Sequence, residues 1–214
     1  MVFKSFIGEP TAPFIIFFQI FFRIMADLCQ KMTSRMNNVK YAIAAVKSFK
    51  NVGSMVPSSS FLVKKIIKDI DFDHEIAILE LGAGTGVITR EVLSRMSDNS
   101  VLYSYENNST FIDSLKNIHD DRLIIKAENV SNLNLLKDDY FDVVISSLPL
   151  ANMAKGFKNK IYKDIKAKLK DTGVYLQYQY LLFDYNRIGK SFGNCKLEFC
   201  LLNMPPAFIY RTKM

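Results

Sequence analysis

The chain has 214 residues, 49% of them hydrophobic, and a net charge of +7. That apolar fraction excludes intrinsic disorder, and 9 glycines with 6 prolines exclude a collagen-like or linker composition. Cys29, Cys195 and Cys200 form no C-x-x-C pair, which argues against a disulfide scaffold and for a reduced compartment. With only His74 and His119, a multi-histidine metal site is not expected.

The charge is unevenly placed. Residues 1–70 carry ten Lys/Arg against Glu9, Asp27 and Asp69, whereas residues 71–214 balance eighteen of each sign. A basic front segment suits an anionic partner, nucleic acid or the negative surface of a membrane, although surplus lysine can also serve solubility alone. Ala12 to Leu28 reads APFIIFFQIFFRIMADL, with five Phe. It is shorter than the roughly 20 apolar residues a membrane-spanning helix needs. Gln19, Arg23, Asp27 and Lys31 recur every four residues, which sets them along one side of a helix and leaves a wide apolar face. The pattern describes an interfacial amphipathic helix, with an anionic membrane surface as the partner of residues 12–35. A core helix, a cleaved signal peptide and a true span are the competing readings. A second helix is expected from Val39 to Phe49. A loop rich in Gly, Ser and Pro then leads to Ser58–Ser60, which can cap a helix from Phe61 to Ile70. The boundary between a helical extension, 1–50, and a catalytic domain, 51–214, is placed in this loop.

From Glu75 the pattern changes. Ile76–Leu81 is a nearly continuous apolar run, as expected of a buried parallel strand. It ends at Gly82-Ala-Gly-Thr-Gly86, and a helical pattern follows through Val87, Ile88, Val92, Leu93 and Met96. Strand, glycine loop and helix make the first unit of a nucleotide-binding sheet. The spacing G-x-G-x-G differs from the dinucleotide fingerprint, because Val87 stands where a glycine is wanted, and no Gly-Lys-Ser/Thr follows to make a P-loop. Val101–Tyr105 reads as a second strand with Glu106 at its carboxyl end, 24 residues after Gly82, where a carboxylate can accept ribose hydroxyl protons. Further strands are expected at Arg122–Ala127, Phe141–Ser146 and Thr172–Tyr180. Lys196–Leu202 and Ala207–Thr212 form a closing pair around Asn203-Met-Pro-Pro206. Ala154–Lys170 repeats Phe157, Ile161, Ile165 and Leu169 every four residues and reads as a sheet-covering helix with a solvated basic face.

These pieces resemble the class I S-adenosylmethionine-dependent methyltransferases: Glu80-Leu-Gly-Ala-Gly-Thr-Gly86, Glu106 and Glu128-Asn129. Gly53-Ser-Met-Val-Pro-Ser-Ser59, Ser147-Leu-Pro-Leu150, Gln177-Tyr-Gln-Tyr180 and Asn203-Met-Pro-Pro-Ala207 are similar, in order, to motifs of the bacterial phospholipid N-methyltransferases. The resemblance implies an α/β, Rossmann-like fold with a seven-stranded, mostly parallel sheet and an N-terminal amphipathic helical extension. It implies S-adenosylmethionine as cofactor. Gly82, Ala83, Gly84 and Gly86 would border its methionine part with Glu80 nearby, Glu106 would hold the ribose, and Glu128 with Asn129 would lie by the adenine. Leu148 would line the transfer centre. The family often has Asp at the place of Glu128 and Pro at the place of Ala83.

Methyl transfer to an amine needs alignment rather than a covalent nucleophile, and a carboxylate or phenol can help to remove the ammonium proton. Tyr178, Tyr180 and Asp184 follow the fifth strand, where a head group would reach, and tyrosine faces attract methylated ammonium. Packing within the sheet is the alternative for both tyrosines. Arg187 and Arg211 are candidate phosphate partners. The expected activity is methylation of phosphatidylethanolamine toward phosphatidylcholine, on the cytoplasmic face of the inner membrane, with no metal and no nucleic acid involved. The alternatives are an ornithine lipid or an RNA adenine N6-methyltransferase. The latter resemble one another in an Asn/Asp-Pro-Pro-aromatic motif, whereas this chain has Ser146-Ser-Leu-Pro-Leu150 there. A non-catalytic membrane-binding protein with a vestigial nucleotide fold is a further alternative.

Overall fold

Every residue of the apolar run Ala77–Leu81 (β1) is buried, which places this strand at the centre of the protein. The computed structural model describes residues 58–214 except 181, 183 and 204. The expected amphipathic helix, the second helix and most of the Gly/Ser/Pro loop therefore lie outside the described residues. Helix α1 spans Ser60–Ile67, with Ser59 as its N-cap. After β1 come α2 (Val87–Leu93), β2 (Val101–Tyr105), α3 (Ser109–Lys116) and β3 (Leu123–Lys126). Then follow β4 (Phe141–Ser146), α4 (Lys155–Lys168), β5 (Leu169–Gln179), α5 (Tyr185–Phe192), β6 (Lys196–Cys200) and β7 (Ala207–Lys213).

The seven strands form one sheet in the order β3-β2-β1-β4-β5-β7-β6. β3, β2, β1, β4 and β5 pair in parallel. β7 runs antiparallel to both β5 and β6. This is the expected Rossmann-like, mostly parallel architecture. The strand order reverses between β1 and β4, and ligands of such sheets bind beyond the carboxyl ends at that switch point.

Side chains alternate across the sheet and feed two cores. On one face Ile78, Leu102, Ile145 and Leu176 meet Leu62, Val63 and Ile66 of α1 and Ile88 and Val92 of α2. On the other, Leu79, Leu81, Val144 and Tyr175 meet Ile161, Tyr162 and Ile165 of α4 and Ile188 and Phe192 of α5. Phe141 and Val143 lie two apart yet feed opposite cores. The β4–β5 register shifts between them, Phe141 pairing with Leu169 and Val143 with Val174, so the extra residues lie on β5.

Two expectations need correction. The fifth strand begins at Leu169, directly after α4, rather than at Thr172. The basic face of α4 is not uniformly solvated either. Lys158 and Lys168 are buried, Lys158 against Asp184 and Lys168 against Asp138 and the Leu136 carbonyl. Their aliphatic stems pass through the apolar layer and their ammonium groups find fixed acceptors.

Arg122, immediately before β3, ties the end of α2 to the start of that strand. Its guanidinium donates to the carbonyls of Leu93 (2.9 Å) and Met96 at the end of α2 and to Asp120 (2.7 Å). Those hydrogen bonds hold the Asp120 carboxyl below its ordinary range. Their contribution is present above about pH 4 and is lost as pH falls through the lower, folded value. Arg122→Ala should lower stability by about 2 kcal/mol in urea unfolding near neutral pH.

Candidate active site

The glycine loop begins where β1 ends. Gly82, Gly84 and Gly86 have φ of +80°, +55° and +79°, a region L side chains rarely enter. A Cβ on Gly82 would sit 2.8 Å from Ser147 Oγ, whereas one on Gly84 would meet nothing within 4 Å. Gly82 thus serves close packing against the loop after β4, and Gly84 leaves its backbone bare. Gly82 and Ala83 both donate to the Tyr105 carbonyl at the end of β2, at 2.9 and 3.1 Å. Alanine in the place of the family's proline therefore adds a hydrogen bond that proline has no N–H to make.

Two carboxylates flank this turn. Glu80 is 2% exposed, and its Oε2 accepts from Thr89 Oγ1 and Ser104 Oγ, each at 2.7 Å. Its Oε1 is buried with no hydrogen-bond partner among the described residues. Burial raises the Glu80 pKa, the two hydroxyls lower it, and the nearby Glu106 raises it further. Glu106 Oε2 accepts from the Gly84 amide at 2.8 Å, and its Oε1 accepts from the amides of Asn107 and Asn108 at 2.9 Å. Two acids so close to an open backbone turn suit a ligand that carries positive charge and hydroxyl donors. S-adenosylmethionine has both, so the residues present fit it. Glu128 is half-buried and accepts from Asn132 Nδ2, while the Asn129 side chain caps a short 3-10 turn by accepting from Ser131 N at 2.9 Å. Glu128 stands two residues beyond the carboxyl end of β3.

The loop after β4 closes over Gly82. Ser147 N donates to the Leu81 carbonyl at 2.9 Å, and Ser147 Oγ donates to the Gly82 carbonyl. The Leu148 carbonyl accepts from Gln177 Nε2 at 3.2 Å, and Tyr175 OH donates to Gln177 Oε1 at 2.8 Å. Gln177, fully buried, thus locks this loop onto β5. Tyr178 lies next to it, with Ser58 Oγ donating to its hydroxyl at 2.9 Å. The Tyr178 and Tyr180 rings meet edge to face at 6.2 Å. Ser59 N donates to Asn203 Oδ1 and Ser59 Oγ to the Leu202 carbonyl, each at 2.8 Å. Ser58-Ser59, Ser147-Leu148, Gln177–Tyr180 and Asn203 are thereby linked in space.

Other expected site residues are engaged elsewhere. Asp184 is 1% exposed and paired with Lys158 Nζ at 2.9 Å, so it serves the α4–α5 packing rather than a head group. Arg187 donates to Asn159 Oδ1 at 3.0 Å and lies 3.5 Å from Asp184. Arg211 is buried in mid-strand, donates to the carbonyls of Lys65 and Ile66 at the end of α1, and faces Asp69 and Glu198. Antiparallel β7 starts at the sheet's carboxyl edge and carries Arg211 away from it. Burial pushes the Tyr178 phenol up, and the Tyr180 phenol up to about 12. Near neutral pH both are neutral, so they offer ring faces and hydroxyls rather than a phenolate base.

Thr89, Ser104, Ser147 and Ser58 were not singled out individually from the sequence. The signal for Ser104 is strand register, since it stands directly opposite Glu80 in the β1–β2 pairing. Thr89 is one turn into the helix that follows the glycines. Ser58 is hidden by its neighbours, because Ser59 alone accounts for capping.

A methyltransferase domain model matches residues 72–184, more than half of the chain. The chain belongs to this methyltransferase family. It is a class I S-adenosylmethionine-dependent methyltransferase, with S-adenosylmethionine as its cofactor. Among known relatives, the ornithine lipid N-methyltransferase of Singulisphaera acidiphila is 25% identical over 74% of this chain and 86% of its own length. Ribosomal RNA small subunit methyltransferase A of Sulfurihydrogenibium sp. is 31% identical, but over 48% of this chain and 36% of that protein. In fold, the chain is similar to precorrin-6y C5,15-methyltransferase from Geobacter metallireducens, with a TM-score of 0.60 and 15% identity over 75% of this chain and 93% of that one.

Glu106→Ala removes the carboxylate that faces Gly84. It should weaken S-adenosylmethionine binding about tenfold or more by calorimetry, a charged hydrogen bond being worth roughly 1.5–3 kcal/mol. Unchanged affinity would remove Glu106 from the cofactor site.

Proposed function

We propose that the protein transfers methyl groups from S-adenosylmethionine to the amine of a membrane lipid head group. One observation carries this reading. The loop that packs on the cofactor turn through Ser147 and Leu148 is locked through Gln177 to the strand bearing the edge-to-face pair Tyr178–Tyr180. When bound, S-adenosylmethionine supplies a methyl group on a cationic sulfonium. Tyr178 and Tyr180 would orient the amine, and a neutral ring face attracts mono-, di- and trimethylated ammonium alike, by about 0.5–2 kcal/mol. One proton must leave the ammonium before each attack. With both phenols held neutral, the chain does not offer them as its acceptors, and water at the entrance would take it.

Within lipid amines, the ornithine lipid head group fits better. The relative with that activity aligns along most of its own length. The two arginines expected to meet a phosphate are also engaged elsewhere. Phosphatidylethanolamine, converted toward phosphatidylcholine, is the second reading. It is favoured by the joining of the Ser147-Leu148, Gln177–Tyr180 and Asn203 motifs in one place. The Ser146-Ser-Leu-Pro-Leu150 loop has neither the amide nor the ring an adenine would need, which supports lipid over RNA. No helix among the described residues is long and apolar enough to cross a membrane. Peripheral attachment to an anionic, cytoplasmic surface through residues 12–35 is part of the proposal.

Incubation with methyl-labelled S-adenosylmethionine and vesicles containing ornithine lipid or phosphatidylethanolamine, followed by lipid separation, should place label in the ornithine lipid. Label in phosphatidylethanolamine alone would select the second head group. Label entering stem-loop RNA and no lipid would overturn the lipid reading. Removal of residues 1–30 should abolish most sedimentation with anionic vesicles while S-adenosylmethionine binding persists. Full vesicle binding by the shortened chain would place the anchor elsewhere.

A further inference from the structure

The connection between β6 and β7, residues 201–206, opens on Leu201-Leu202 before its turn residues Asn203, Pro205 and Pro206. Leu201 and Leu202 are 60% and 62% exposed. Phe61, in the first turn of α1, is 59% exposed. Scattered exposed apolar side chains are ordinary, but these come from two elements that are fastened together. Ser59 Oγ donates to the Leu202 carbonyl and Ser59 N to Asn203 Oδ1, each at 2.8 Å. The same short segment reaches the candidate site, since Ser58 Oγ donates to the Tyr178 hydroxyl at 2.9 Å. The apolar side chains therefore stand beside the aromatic pair, at the sheet's carboxyl edge. Leu182, after the end of β5, adds a further exposed leucine on that edge.

We propose that Phe61, Leu201 and Leu202 form a rim that inserts into the surface of an anionic bilayer and sets the site entrance against the head groups. The inference rests on the lipid reading and adds the surface by which the catalytic body meets its substrate. Charge selects the occupant. Residues Ser60–Ile67 contain Lys64 and Lys65 and no acid, and Lys64 is exposed one turn from Phe61. Large apolar side chains with lysines close behind them match a layer of acyl chains beneath negative head groups. A lipid amine would then travel only the depth of the head-group layer to reach Tyr178 and Tyr180.

The chain has no Trp, so a single introduced indole reports its own surroundings. Leu202→Trp in the full chain should show blue-shifted emission, and quenching by brominated lipid, on vesicles of phosphatidylcholine and phosphatidylglycerol. Leu135→Trp, at an exposed site in the 3-10 turn that Asn129 caps, is the reference and should show neither. Replacing Leu201 and Leu202 together by Ser should raise KM for vesicle-borne lipid about tenfold. It should leave kcat on detergent-dispersed lipid and S-adenosylmethionine affinity unchanged. An unshifted Trp at position 202 in chain that sediments with vesicles would overturn the rim, as would failure to sediment at all. Methyl transfer to dispersed lipid with an unshifted Trp would overturn the rim and leave the substrate reading standing. Insertion without transfer to any lipid would do the reverse.

Discussion

A buried carboxylate at the carboxyl end of the central strand organises this protein. Glu80 is buried at the end of β1, where Thr89 and Ser104 each donate to it. Removing a charge from water is costly unless fixed donors replace the water, so those hydroxyls must stay where they are. Thr89 belongs to α2 and Ser104 to β2, so one acid fixes the strand, the helix after the turn and the neighbouring strand together. The glycine turn between them is held in place by the same contacts. Its second oxygen is left without a partner among the described residues, beside Glu106. Two carboxyl groups thus stand next to the bare backbone of Gly84. Burial first, and Glu106 after it, raise the Glu80 pKa, and a cationic cofactor suits such a pair of acids.

Much of this was legible in the residues. Ile76–Leu81 announces a buried strand by continuous apolarity, and the three glycines announce a turn with positive φ. The place of Glu106 follows from its distance along the chain after Gly82. The closing antiparallel pair was readable because Asn203-Met-Pro-Pro206 breaks two apolar runs. What sequence does not reveal is where long polar side chains terminate. Asp184 and Arg187 are expected at the entrance because they follow the fifth strand, and Arg211 because its strand is read as lying near the carboxyl edge. The structure uses Asp184 and Arg187 to join α4 to α5, and Arg211 to cap α1 from an antiparallel strand. Strand direction decides such cases, and direction is a property of the assembled sheet. The basic face of α4 misled for a related reason. A lysine repeated at helical spacing looks solvated until a distant acid, here Asp184, folds beneath it.

In the proposed reading, the tyrosines at the end of β5 would serve packing and substrate alignment together. Tyr178 belongs to the core beneath α1, yet its hydroxyl reaches Ser58. Burial keeps the phenols protonated, so the aromatic pair is an electrostatic surface and not a proton acceptor. Catalysis by such a site consists of alignment and of a cation-attracting wall. That suits an amine whose positive charge returns after every methyl group.

Ser59 gives α1 its cap and also grips Leu202 and Asn203, partners more than 140 residues away in the chain. The helix start and the hairpin tip are therefore a single mechanical piece. Neither can swing outward alone without breaking both hydrogen bonds that Ser59 makes to the hairpin. Any displacement of the hairpin tip must carry the start of α1 with it, a latch built into one serine.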